Sequence, residues 1–136
     1  ARRGLKDREA HRVVDEILER IGLTHLATKL VGQLAHGERS GVELGIVLTG
    51  DPELILLDEP TAGMTHEEVP RTTEMIREIN RTASLIVVEH DMQFIKAIAN
   101  KVTVFNQGAI LVEDTMANVL KNQQVRDVYL GKREVA

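Results

Sequence analysis

An α/β layered fold is what the sequence predicts, and three observations carry the prediction. Two short apolar runs, at 54–57 and within "SLIVVEH" at 84–90, have the length and composition of strands buried on both faces. Segments with three- and four-residue apolar spacing alternate with them, as helices layered on a sheet would. Near the end, "KVTVFNQGAILVED" reads as two strands joined across Asn106, Gln107 and Gly108, a hairpin signal.

Taken in order, the first element is an amphipathic helix over 7–21. Val13, Val14, Ile17, Leu18 and Ile21 recur on one face, and Gly22 follows as a terminator. A short polar link leads to a second helical pattern from about Glu38 to Thr49, ended by Gly50 and Pro52. The first apolar strand lies between Pro52 and Pro60. Thr65 and Glu68 have capping-box spacing for a helix running to about 82. Pro70 lies deep enough in it to remove a backbone bond, so a restart at Pro70 is the other reading. After the second strand, Asp91 is placed to cap a helix from Met92 to about Asn100. The hairpin and two short helical segments, around 115–121 and 123–130, complete the pattern.

Composition bounds what these elements can do. A chain of 136 residues fits one domain. It is 43% hydrophobic and 28% charged, which is ordinary for a soluble globular protein, but only 2% aromatic, so base-stacking platforms are poorly supplied. A net charge of −4 argues against a broad face for nucleic acid. Without cysteine, disulfides and thiolate metal sites are excluded. No apolar run approaches the roughly 20 residues that span a bilayer, and "ARRGLKDREAHR" is too polar for a signal-peptide core, so a cytoplasmic setting is expected. The chain starts at Ala1 rather than Met, which fits a processed start or excision from a longer polypeptide.

Three constellations carry chemistry. The strand at 54–57 runs into Asp58 and Glu59, and ligands of doubly wound sheets bind beyond the carboxyl ends of strands. There the first carboxylate can hold Mg²⁺, directly or through water, and the second can act as general base. A solvated strand end with two acids before a proline fits "LILLDEP" equally. About thirty positions later the second strand ends in Glu89, His90 and Asp91; a parallel neighbour would bring His90 to the edge that holds Glu59, where it could bond a phosphate oxygen. A strand-end histidine satisfied by backbone is the plain alternative. "LAHGE" is the third: Gly37 permits close backbone approach, and the helix behind it directs free N–H groups at whatever lies in front. Alone it is a helix start with a flexible glycine.

The order "LAHGE", "LILLDEP", "AGMT", "VVEHDM" resembles the C-terminal part of ABC-type ATPases, and the resemblance covers nearly the whole chain. "LAHGER", "DEPTAGMTHEE", "VEHDMQFI", "KVTVFNQGAIL" and "VYLG" look closest to the ATP-binding subunits of urea and branched-chain amino-acid importers, His36 favouring the urea type. The resemblance implies an incomplete P-loop NTPase fold. Its helical-subdomain portion, with the signature motif, would cover 1–50, and the C-terminal part of the ATPase core 51–136. It implies ATP and Mg²⁺ as ligands of the intact protein, a head-to-tail dimer with a second ATP-binding subunit, and docking on a membrane permease at the inner face of the membrane. Asp58 matches the Mg²⁺-associated acid, Glu59 the catalytic base and His90 the switch residue at the γ-phosphate. Ala62, Gly63, Met64 and Thr65 match the D-loop. Leu34, Ala35, His36, Gly37 and Glu38 match the signature that covers the partner's ATP. The family usually places Ser at Ala35 and Gln at Glu38. The missing hydroxyl and the added carboxylate, unless it turns away or is protonated, predict slower hydrolysis.

A phosphate-binding loop needs G-x-x-x-x-G-K-[ST], and the only Gly–Lys pair, Gly131–Lys132, is followed by Arg133. The expectation is therefore the C-terminal half of a longer subunit, inactive alone, with open strand edges that favour a homo-oligomer or element exchange. A nucleotide-independent interaction module is the reading from another class. Half of an SMC-like DNA-repair ATPase, suggested by Glu38, is the third.

Overall fold

In the computed structural model, which describes residues 2–129 with side chains from residue 7 onward, contacts group the chain into two units, Ala1–Asp91 and Met92–Ala136. The closing Leu130 and Gly131 of "VYLG", and Gly131–Lys132, lie outside the described residues.

In the first unit, α1 (Arg2–Arg20) starts earlier than its apolar periodicity shows, and Gly22, at φ 73°, turns the chain after it. The link that follows is less polar than it reads. Two single 3₁₀ turns, Thr24–Leu26 and Val31–Gln33, fold it back so that Leu23, Leu26 and Leu34 enter the core. α2 (His36–Leu48) buries Gly37, Gly41 and Gly45, spaced four apart on one face. These glycines let neighbours approach closely: a Cβ on Gly41 would stand 2.8 Å from Leu23 Cδ1 and Met75 Cε.

β1 (Leu54–Asp58) pairs in parallel with β2 (Ser84–Val88), from Leu54 opposite Ser84 to Asp58 opposite Val88. The expectation of strands buried on both faces is corrected here. Ile55, Leu57 and Leu85 join the core with Met75 and Ile79 of the helix between the two strands, whereas Leu54, Leu56, Ile86 and Val88 are exposed. A continuous apolar run has two apolar faces by the two-residue period of a strand, and the core of this unit lies against one of them. α3 (Glu68–Ile79) begins before Pro70 and does not restart there. Pro70 is its third residue, within the first turn, where an N–H has no partner inside the helix.

In the second unit, α4 (Met92–Ile98) precedes β3 (Val102–Asn106) and β4 (Ala109–Asp114), an antiparallel hairpin. Its two-residue loop has positive φ at both Gln107 (50°) and Gly108 (79°), as a primed turn requires. A register shift after Val104 leaves Leu111 as the extra residue. α5 (Met116–Val119) and α6 (Gln123–Tyr129) pack Val119 and Val125 on Val104, and the Tyr129 hydroxyl donates to the Phe105 carbonyl at 2.7 Å.

Candidate functional site

Parallel pairing decides the first half of the site. Because β1 and β2 end at the same level, the acids after one strand and Glu89–His90 after the other share the carboxyl edge of the sheet. The Glu59 N–H donates to the Val88 carbonyl at 2.8 Å, one bond beyond the ladder. Glu59 sits at φ 45°, a left-handed conformation that costs a side-chain-bearing residue of order 1–3 kcal/mol and turns its carboxylate out of the strand's alternation. His90 Nδ1 lies 3.2 Å from Glu59 Oε1, so the predicted pair does meet. Both side chains, and Asp58, are exposed at this edge.

What holds the pair is Glu89, a residue that sequence reasoning placed at the strand end without giving it a role. Its side chain is 1% exposed and 3.8 Å from His90 Nδ1. Its carboxylate accepts the N–H and hydroxyl of Thr61, on the turn after Glu59, together with the N–H groups of His90 and Asp91. One anion therefore ties the loop carrying Glu59 to the loop carrying His90. Burial alone would raise its pKa, but the bonds from the Thr61 hydroxyl, Asp91, His90 and the Thr61 backbone outweigh burial and hold it below the usual glutamate value.

The second half is the turn before α2. Leu34 is buried, while Ala35, at the N-cap, offers no side-chain acceptor to the helix N–H groups. Glu38 supplies the return half of a capping box, accepting the Ala35 N–H at 3.0 Å. Its other oxygen stands 3.9 Å from both His25 Nε2 and Lys29 Nζ. The carboxylate therefore folds back onto its own turn beside two basic groups. His36 Nε2 reaches the Ala62 carbonyl at 2.9 Å, joining this turn to the segment Ala62, Gly63, Met64 and Thr65. Gly63 makes that turn at φ 73°. Met64 Sδ accepts the Thr72 hydroxyl at 3.2 Å, and Thr65 bonds Glu68 through its N–H and its hydroxyl.

Between the two halves lies a cavity of about 400 Å³, lined by His36, Ser40, Leu44, Leu56, Glu59 and Met75 among others. Among the described residues no three His, Cys, Asp or Glu side chains cluster to hold a metal. Magnesium in nucleotide sites takes only one or two carboxylates and completes its shell with water and phosphate oxygens, so Asp58 alone at the strand end fits that role.

With this geometry in place, residues 2–62 match the family "ABC transporter". An ABC transporter ATPase domain thus accounts for part of this chain. The chain is homologous to LivG, a high-affinity branched-chain amino acid transport ATP-binding protein of Escherichia coli K12, at 33% identity over 85% of this chain and 46% of LivG. It is likewise homologous to BraF of Pseudomonas aeruginosa, of the same description, at 30% identity over 93% of this chain and 50% of BraF. ATP-binding proteins of lipopolysaccharide export and methionine import are also similar. Among solved structures, the ADP conformation of MJ1267, an ATP-binding cassette of an ABC transporter, superposes with a TM-score of 0.79 at 26% identity, over 89% of this chain and 50% of MJ1267. The fold is thus that of an ABC ATPase cassette, and the chain spans about half the length of the relatives it matches.

Proposed function

We propose that this chain is the signature-to-switch segment of an ABC importer's ATP-binding subunit, in which ATP and water yield ADP and phosphate to drive uptake of urea or a branched-chain amino acid. The 3.2 Å contact between Glu59 and His90 at a shared sheet edge carries the reading. Glu59 accepts a proton from the attacking water. His90, when protonated, donates at both ring nitrogens, one to Glu59 and one to a terminal phosphate oxygen. Asp58 holds Mg²⁺, which when bound neutralises phosphate charge. The turn from Leu34 through Glu38 and the segment from Ala62 to Thr65 face the second subunit of a head-to-tail dimer. Residues 1–50 act as part of the helical subdomain and 51–136 as part of the core, docked on permease subunits at the cytoplasmic face. Among the described residues no helix is long and apolar enough to cross a membrane.

Lacking G-x-x-x-x-G-K-[ST], this segment alone neither binds ATP and Mg²⁺ tightly nor hydrolyses ATP. The open edges of the β1–β2 and β3–β4 pairs support self-association or element exchange between copies. The decisive test is Glu59→Gln in a complete subunit carrying this segment. Turnover is expected to fall by about 10²–10⁴-fold with ATP affinity retained, and unchanged turnover would remove Glu59 as the base.

A further inference from the structure

Gly37, the second residue of α2, and Glu68, the first of α3, lie 31 positions apart in sequence and in direct contact. Glu68 Oε1 accepts the Gly37 N–H at 2.9 Å. Its other oxygen accepts the Thr65 N–H at 2.8 Å and the Thr65 hydroxyl at 3.0 Å. One side chain thus satisfies N–H groups at two helix entrances, and the His36–Ala62 bond of 2.9 Å ties the same two segments a second time.

We propose that Glu68 is a positioning residue for the hydrolytic dimer: its carboxylate clasps the signature turn to the D-loop, so that the two segments facing the partner subunit present themselves as one rigid surface. The inference rests on the function proposed above. Gly37 is the residue that admits the clasp, because a Cβ there would stand 3.1 Å from both Glu68 Cβ and Glu68 Oε1. The ionised form suits the task. N–H groups of Thr65 and Gly37 and the Thr65 hydroxyl hold the Glu68 carboxyl below its ordinary value, so at neutral pH both oxygens accept. A glutamine of the same shape has one acceptor oxygen, and its NH₂ would meet one of the two N–H groups without a bond. The hydrogen bonds of Glu68 go to Gly37 and Thr65 and not to the β1–β2 edge, where the proposed chemistry occurs. Its effect should therefore fall on assembly of the composite pocket and not on nucleotide binding by one subunit.

The experiment uses the complete ATP-binding subunit in a Glu59→Gln background, where bound ATP persists. Sedimentation reads ATP-dependent dimerisation, a fluorescent ATP analogue reads binding to the monomer, and hydrogen exchange reads the Gly37 and Thr65 amides. Adding Glu68→Gln is expected to weaken the dimer by about tenfold, leave analogue affinity unchanged, and speed exchange at both amides. Gly37→Ala, which presses on the same carboxylate from the other side, should reproduce the loss even if the first variant folds poorly. Equal dimer affinity in both variants and the parent overturns the clasp, as does unchanged exchange at Gly37. If the parent itself forms no ATP-dependent dimer, the importer reading falls and the clasp falls with it.

Discussion

The strand edge and the signature turn are built in opposite ways. At the edge, Glu59 and His90 follow strands whose parallel register puts their ends side by side, and the buried Glu89 carboxylate then ties their loops together. At the turn, nothing local suffices: Ala35 lacks a capping oxygen, and Glu38, Glu68 and the Ala62 carbonyl supply acceptors from the turn itself and from a second segment. The edge is placed by strand register and tied by one carboxylate, whereas the turn rests on several acceptors drawn from two segments.

The largest effect that separates the two halves is the loss of turnover expected for Glu59→Gln, since it removes the proposed proton acceptor and leaves the backbone alone. Next comes Glu89→Gln, which asks whether register is really enough at the edge. Four donors now converge on one carboxylate, and an amide leaves part of that set unmet inside the protein. A loss of about 1–3 kcal/mol is expected from urea unfolding at neutral pH. The sign with pH follows from a folded-state pKa held below the unfolded value: the stabilisation is present above the unfolded pKa and disappears as pH falls through the folded one. Parent and variant should therefore converge in stability in acid, and a gap that persists there would assign the loss to packing.

On the signature side, Gly41→Ala tests how tightly α2 is seated. Its Cβ would meet Leu23 and Met75 at 2.8 Å, so overpacking of about 1–3 kcal/mol is offset by a helix-propensity gain of about 1, leaving a net loss near 1 kcal/mol in thermal unfolding. Glu38→Gln should be smallest. The amide oxygen can still accept the Ala35 N–H, and the pairs with His25 and Lys29 at 3.9 Å are partly solvated, so stability should change by less than about 1 kcal/mol. The concern raised by an acidic residue at the signature eases for the same reason: its carboxylate turns back onto its own turn. A large rise in turnover of the complete subunit with Glu38→Gln would show that the carboxylate opposes phosphate after all.

Much of this was written in the chain. Helical spacing, two short apolar runs, and Asn106–Gln107–Gly108 specify elements through local steric and hydrophobic preferences, and all of these elements form. The order of Asp58, Glu59 and His90 also made a shared edge predictable, because two strands in succession with a helix between them pair in parallel. Other features were out of reach. The link at 23–34 looked polar because its buried residues Leu23, Leu26 and Leu34 follow neither a helical nor a strand period; they are selected by the hollow they fill. The apolar runs spoke for two buried faces, while only the tertiary arrangement shows which face the core of the unit takes. Thr65 and Glu68 signalled a cap, yet the same carboxylate also serves Gly37, and Glu89 gave no sign of its four bonds.

The sequence by itself thus determined the elements, their order and the residues that carry the proposed chemistry, because backbone preference and hydrophobic period act over a few positions. The tertiary structure alone decided which carboxylates hold loops in place. That choice depends on N–H groups brought within about 3 Å from 28 and 31 positions away, and no local pattern encodes where those groups will point.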